Sequence, residues 1–600
     1  MKSETSPASS PRFSSVQIEL SRRCRDQIQS ARKTNSISTD QLLFPVLLAL
    51  AILAPSIAVA QTQTPPQAHT TIYLHGRLYT NDPAHPWASA MAVRDGKIVC
   101  IGGIEQIMLE CGTSDDVETI QLKNQFVMPG FNDAHVHMGG AAADMLAVRV
   151  NGVTSVEELQ KAVATAVAAH KEGEWIVGAG WDHTLWPDKK FPTRQQLDAV
   201  SPKNPVLLVH ISGHVAIANS LALEQAGVKK ETPNPKGGEF EHDANGELTG
   251  MLLEGSAIGL VQQYVPETSA ADRRRGIELV FADIAKNGVT SVQDNSEWED
   301  FLVYRSLKDE GKLTVRITEW LHFTNALADL QNMRSEGGTT DPMLKTGALK
   351  MVTDGALGSR TAAMAAPYSD DPSTSGIMTI DPTKLKQMAI ERDKAGFQLN
   401  FHAIGDRANS IALDTFEAVA KANGPRDRRD RVEHAQIVAP GDFARFAALN
   451  VIASMQPSHQ TTDMRWAESR VGPDRIKGAY AWNTMLKSKV HLAFGTDYDV
   501  EPINPVRGLY ACVTRELPDG GPAGGWQPQE KISLDECIRA YTTGSAYAQF
   551  EDGKKGALII GQYADFIILS ADITKIPPSE YTKTKVLRTV VGGRTVYQSQ

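Results

Sequence analysis

The residues best suited to chemistry in this chain lie in Val127-Met-Pro-Gly-Phe-Asn-Asp-Ala-His-Val-His137. His135 and His137 are two apart, and residues i and i+2 of an extended strand share a side. Two imidazoles on one side can reach one metal ion, because zinc–nitrogen bonds are about 2.0–2.1 Å long. The apolar run Phe126-Val127-Met128 reads as a strand entering a core, and Pro129-Gly130 separates it from the histidine pair. A His-x-His pair alone also fits a half-buried strand with no metal. What distinguishes this one is the set of further ligand types at the ends of later strand-like runs: Lys350, His402, His434 and Asp497.

The elements that would position them follow from periodicity. Strand-like runs cover Val289–Gln293, Val315–Trp320, Ala348–Val352, Phe397–Phe401, Val432–His434, Val451–Met455 and His491–Phe494. Helical windows such as Ala270–Lys286, Lys384–Ala395, Ile411–Ala422 and Pro440–Leu449 alternate with them. Alternating β and α units imply a parallel sheet, and about eight of them imply an α/β protein with a TIM-type (β/α)8 barrel, whose active site sits at the C-terminal ends of the strands. The span from His137 to Val289 is too long for one connection. It predicts an inserted subdomain after strand 1, at about 150–270, containing Trp175, Trp181, Trp186, His183, His210 and His214. Short β-like runs follow the Gln/Thr/Pro segment 62–70, with Asp95-Gly96 as a hairpin signal between two of them. The C-terminus has the same texture. A small β-sandwich domain is therefore expected from both termini, 62–130 and 550–600, around a barrel over 131–549.

Composition bounds the function classes. With 42% hydrophobic and 22% charged residues the chain can bury a large core, which excludes a disordered protein. The formal charge of −9 with no basic face excludes nucleic acid as the expected partner. Residues 1–60 combine a basic region, the apolar run Leu42–Ala54 and an Ala58-Val-Ala60 pattern, which reads as a leader and signal peptide cleaved near Ala60. Pro45, Pro55 and the small-residue end favour cleavage over a membrane anchor, so the expectation is a periplasmic or secreted chain that meets membrane only through an uncleaved leader. Cys100, Cys111, Cys512 and Cys537 remain after cleavage. They form no Cys-x-x-Cys, their even number permits disulfides, and Cys100 and Cys111 are near enough in sequence to pair.

On these motifs the chain resembles the metal-dependent amidohydrolase superfamily, and within it amidohydrolase family 3, which includes N-substituted formamide deformylases. The resemblance runs from about residue 72 to the C-terminus. It also rests on Ser212-Gly-His-Val-Ala-Ile-Ala-Asn-Ser220, Asp354-Gly-Ala-Leu-Gly-Ser-Arg-Thr361, His402-Ala-Ile-Gly-Asp-Arg407, Arg431-Val-Glu-His-Ala-Gln436, Ser454-Met-Gln-Pro457 and Gly495-Thr-Asp497. It implies two divalent ions per chain, most often zinc. His135, His137 and Asp497 would hold one ion and His402 and His434 the other, with a carboxylated Lys350 bridging them. Zinc lowers the pKa of bound water to about 7, and Asp497 would shuttle the proton. His214 would reach from the insertion to polarise the substrate, with Arg360, Gln456, Trp181 and Tyr498 as substrate contacts. The last strand ends Gly-Thr-Asp-Tyr-Asp-Val where the family usually reads Gly-Ser-Asp-Trp-Pro-Val, so Tyr498 and Asp499 bear on substrate identity.

The implied reaction is hydrolysis of a non-peptide carbon–nitrogen bond in a small amide or N-substituted formamide. An ester or lactone hydrolase with the same metal site, and a barrel that kept the motifs without turnover, stay open, as does assembly into a homo-oligomer.

Overall fold

The computed structural model describes residues 69–112, 116–210 and 214–600. The expected leader and cleavage pattern, at 1–60, lie outside the described residues. Eight parallel strands stand side by side in chain order. They are β1 (Phe131–Val136), β2 (Val289–Asp294), β3 (Arg316–His322), β4 (Leu344–Val352), β5 (Leu399–Ala403), β6 (Arg431–His434), β7 (Ile452–Met455) and β8 (Leu492–Phe494). Both faces of these strands are covered, which is why β1, β2, β6, β7 and β8 are buried at every position. The helices between them start where the sequence offers caps. Ser269 accepts from Asp272 N at the head of Ala270–Lys286. Asp381 accepts from Thr383 N and Lys384 N at the head of Pro382–Lys394, with Pro382 in the first turn.

The ring closes between β8 and β1. The backbone N–H of Asp497 donates to His135 O at 2.8 Å. Thr496 donates through its N–H (2.9 Å) and its hydroxyl (2.6 Å) to Asp133. Gly495 allows the approach, since a Cβ there would lie 2.6 Å from His135 N. The closed parallel barrel is thus the expected TIM-type fold.

Two further layers frame the barrel. Strand Phe126–Pro129 pairs with the C-terminal strand Phe566–Leu569, so one sheet holds segments from both ends of the chain. A second sheet of Thr70–Leu74, Ala90–Arg94, Lys97–Gly102 and Val117–Gln121 stacks on it over Tyr73, Val127, Phe566, Ile568 and Val590. Asp95 (φ +50) and Gly96 (φ +74) make the hairpin turn between Ala90–Arg94 and Lys97–Gly102, both in the left-handed region that such turns need. Cys100 is bonded to Cys111, and Cys512 to Cys537.

The insertion carries a six-stranded sheet spanning Val148 to Leu253. Its own core includes Leu159, Ile176, Trp181, Trp186, Ile217 and Met251. The helices flanking it, Met138–Leu146 and Ala270–Lys286, touch closely. A Cβ on Gly276 would come within 2.5 Å of Ala142 O, so the chain leaves and re-enters the barrel at one place.

Barrel and small domain are joined by a buried ion pair. Arg316 donates to Asp565 through Nε (2.6 Å) and Nη2 (2.9 Å), and its guanidinium lies 4.0 Å from the Tyr563 ring centre. Replacing Asp565 by Ala leaves that guanidinium buried without its anion. The expected cost is about 3–5 kcal/mol of stability, read as a lower denaturation midpoint; a loss under about 1 kcal/mol would place the pair among weak surface bridges.

Candidate metal centre

Each metal-type residue singled out in the sequence sits at the C-terminal mouth of the barrel. His135 is near the end of β1, and His137 caps the helix that follows. Lys350 and His402 lie late in β4 and β5, His434 ends β6, and Asp497 follows β8. The folded chain brings them together. His137 Nε2 lies 3.1 Å and His135 Nε2 3.5 Å from Asp497 Oδ1. Lys350 Nζ is 2.8 Å from His135 Nε2. The His434 ring centre lies 5.2 Å from that of His135 and 4.6 Å from that of His402.

These spacings suit a shared cation. Donors held at about 2.0–2.1 Å on a tetrahedral ion stand about 3.3 Å apart. The ligand atoms of His135, His137 and Asp497 all fall within 4.8 Å of one another. Asp497 Oδ1 is buried facing the Nε2 atoms of His137 and His135, and a cation among them would offset the cost of burying an anion. The donor set therefore fits a divalent ion.

Electrostatics prepare the ligands. Burial holds His135 and His402 well below the usual histidine range, with Lys350 adding to the effect on both. Burial takes His434 down to about 3. A neutral imidazole keeps a lone pair for a metal. Burial alone would raise Asp497, but His135, His137, His434 and His459 outweigh it and keep the carboxyl well below its ordinary value. Burial pulls Lys350 down to about 8, against the opposing charges of Glu433 and Asp497. His434 (φ +73), Ala435 (φ +42) and Asp497 (φ +58) occupy the left-handed backbone region. Such strain costs about 1–3 kcal/mol per residue and collects at functional sites.

Several groups that orient the ligands escaped the sequence reading. Glu433 Oε2 lies 2.9 Å from His135 Nδ1, which turns Nε2 toward the centre. Glu433 is itself held by Arg431, whose Nη2 is 2.9 Å from Oε1 and donates to Ala134 O and Ser454 Oγ. Asp354 Oδ1 lies 3.3 Å from His402 Nε2 and accepts the N–H of Ile404. His459 Nε2 sits 3.6 Å from Asp497 Oδ2. Glu433 and Asp354 fall inside motifs already legible in the chain, while His459 carries no spacing signal and is found only because its helix follows β7.

The other expected contacts are distributed differently. Gln456 Oε1 is 2.9 Å from His434 Nδ1, so it orients a ligand. Arg360 donates two hydrogen bonds to Asp370, on a loop also reached by Arg470. Trp181 is fully buried in the insertion and donates to Leu208 O. His214 Nδ1 lies 3.0 Å from Glu254 Oε2, with both side chains mostly exposed. Tyr498, together with Asp499 and the insertion residues Gly180 and His210, lines a cavity of about 860 Å³ between the barrel and the insertion, and none of the barrel's metal-type residues lines it.

A parallel barrel with this cluster at its mouth defines a metal-dependent hydrolase. The chain belongs to the amidohydrolase family, whose model matches residues 118–597. It is 36% identical over 538 residues to Protein LONG AFTER FAR-RED 3 of Arabidopsis thaliana, covering 87% of this chain and 91% of that one. It is 26% identical over 550 residues to N-substituted formamide deformylase of Arthrobacter pascens, covering 89% and 99%. A crystal structure of an uncharacterized metal-dependent hydrolase from Pyrococcus horikoshii superposes with a TM-score of 0.71 at 27% identity, covering 85% of this chain and 99% of that one.

If Glu433 sets the His135 ring, Glu433→Gln should weaken metal binding by about 10–100-fold, measured by competition with a chelator, while the far-ultraviolet spectrum stays unchanged. Unaltered affinity would reduce Glu433 to packing against Arg431.

Proposed function

We propose that this amidohydrolase cleaves the carbon–nitrogen bond of a small non-peptide amide or N-substituted formamide, with water as the second reactant and an acid and an amine as products. The observation that carries this reading is the convergence of His135, His137 and Asp497 within ligand distance, with Lys350 2.8 Å from His135. In this reading His135, His137 and Asp497 would hold one divalent ion, zinc by donor type, and His402 and His434 would hold a second. His434, with Nδ1 on Gln456, offers Nε2; His402, with Nε2 toward Asp354, offers Nδ1.

Lys350 in carboxylated form would add an anionic oxygen donor to this set. With its pKa pulled down to about 8, part of the amine is neutral at pH 7 and nucleophilic. The ammonium first loses one proton; the neutral nitrogen then adds to carbon dioxide and loses a second, so that a cation becomes an anionic carbamate after the release of two protons. Arg431, already paired with Glu433, keeps positive charge beneath it.

A bound divalent ion supplies polarisation of the substrate carbonyl and a lowered pKa for water at the site. Asp497 takes the proton from the attacking water and passes it to the leaving nitrogen, so a single carboxylate serves as base and then acid. Tyr498 and Asp499, next in the chain to Asp497, are assigned to contacts with the substrate. The similarity to a formamide deformylase supports the amide class, and the two disulfides support an exported chain in an oxidising compartment.

Metal-replete protein should hydrolyse members of a panel of N-substituted formamides and N-acyl amines with equal release of acid and amine, and chelation should abolish it. Turnover confined to lactones or esters would transfer the site to the second reaction class, and full activity in verified metal-free protein would remove the metal mechanism. Asp497→Asn can still ligate through its amide oxygen but cannot accept a proton at neutral pH. Its kcat is expected to fall about 10²–10⁴-fold at substantial metal content; a metal-replete variant within tenfold of the parent, as an order of magnitude, would take the proton-transfer role away from Asp497.

A further inference from the structure

Outside the barrel, the insertion gathers a second group of donors. Asp182 and His183 follow the strand Ile176–Trp181, and His210 ends the neighbouring parallel strand Val206–His210. His183 Nδ1 lies 3.3 Å from His210 Nε2, and that same nitrogen is 3.8 Å from Asp182 Oδ1. Ligand atoms of all three fall within 4.8 Å of one another. Donors on a tetrahedral ion stand about 3.3 Å apart, so the pair of imidazoles already has the required separation and the carboxylate is slightly wide of it.

The surroundings fix these groups. Asp182 Oδ1 accepts the N–H (2.9 Å) and the hydroxyl (2.7 Å) of Thr184, which sets its rotamer and keeps it below the ordinary carboxylate range. The buried Trp181 ring stands edge-on to His210 at 4.6 Å, and Phe191 packs on His183 at 4.3 Å between ring centres. Burial, then His183, lowers the His210 pKa, favouring the neutral imidazole that ligates. His210 also lines the cavity that Tyr498 and Asp499 line from the barrel.

We propose that Asp182, His183 and His210 form a separate binding site for a divalent transition ion on the insertion's side of the cavity between insertion and barrel. Two imidazoles and one carboxylate suit zinc, cobalt, nickel or copper and disfavour magnesium or calcium, which take all-oxygen sets. Three protein donors leave a coordination position open. None of the three belongs to the barrel cluster, so occupancy here is independent of the hydrolytic reading.

The test counts metal in full-length mature protein loaded with zinc, freed of loose ion by gel filtration and analysed by mass spectrometry. Wild type should carry about one ion more per chain than His183→Ala. Cobalt-loaded wild type minus cobalt-loaded His183→Ala should give a visible difference spectrum of a four-coordinate ion. Asp182→Asn, which retains the Thr184 contacts, should weaken that ion's affinity while the barrel ions persist. Because His183 is only partly buried, folding of its variant is expected and is checked by circular dichroism; if His183→Ala fails to fold, His183→Gln takes its place. Equal metal content and superimposable cobalt spectra in wild type and folded variant would overturn the proposal and leave an ordinary His183–His210 hydrogen bond.

Discussion

The seam between β8 and β1 is the constraint on which the rest depends. A barrel must close, and here it closes through backbone groups of the same residues whose side chains form the centre: Asp497 N–H on His135 O. Closing the ring therefore sets the Asp497 carboxylate beside the His135 and His137 imidazoles. Gly495 and the Thr496–Asp133 contacts serve the same approach. A shift at this seam would move the ring and the ligand set together.

Beneath the seam lies a polar layer unusual for a barrel interior. Arg431 is fully buried, binds Glu433, Ser454 and Ala134 O, and lies 4.9 Å from the Trp320 ring centre. A buried guanidinium is costly unless paired and hydrogen-bonded. Its partner Glu433 is also the group that faces His135 Nδ1. Stability and ligand geometry thus share the same side chains, and the left-handed backbone at His434 and Asp497 shows where that sharing stores strain.

The two outer layers act at opposite ends. The small domain runs directly into β1 through Gly130, where a Cβ would strike Thr290, and Arg316–Asp565 ties the same domain to β3. The insertion leaves after the His137 helix and returns beside it. It supplies Gly180 and His210 to the cavity that Tyr498 and Asp499 border, so barrel loop and insertion share one wall-to-wall boundary there.

By itself the sequence determined the fold class and the metal-type residues, because strand and helix periods are local and each of His135, His137, Lys350, His402, His434 and Asp497 falls at a strand end along the chain. The aspartate and glycine punctuation of the first hairpin was equally local in kind, carried by Asp95-Gly96. Tertiary structure alone decided which groups orient the ligands and which were committed elsewhere. Arg360 found Asp370, Trp181 sank into the insertion's core, and His214 met Glu254, each partner lying at a distance that no local pattern encodes. Glu433 and His459 gained their places from parallel neighbours and from the helix after β7. Side-chain direction across a closed barrel depends on register and strand tilt, which are properties of the assembled ring and of no single segment.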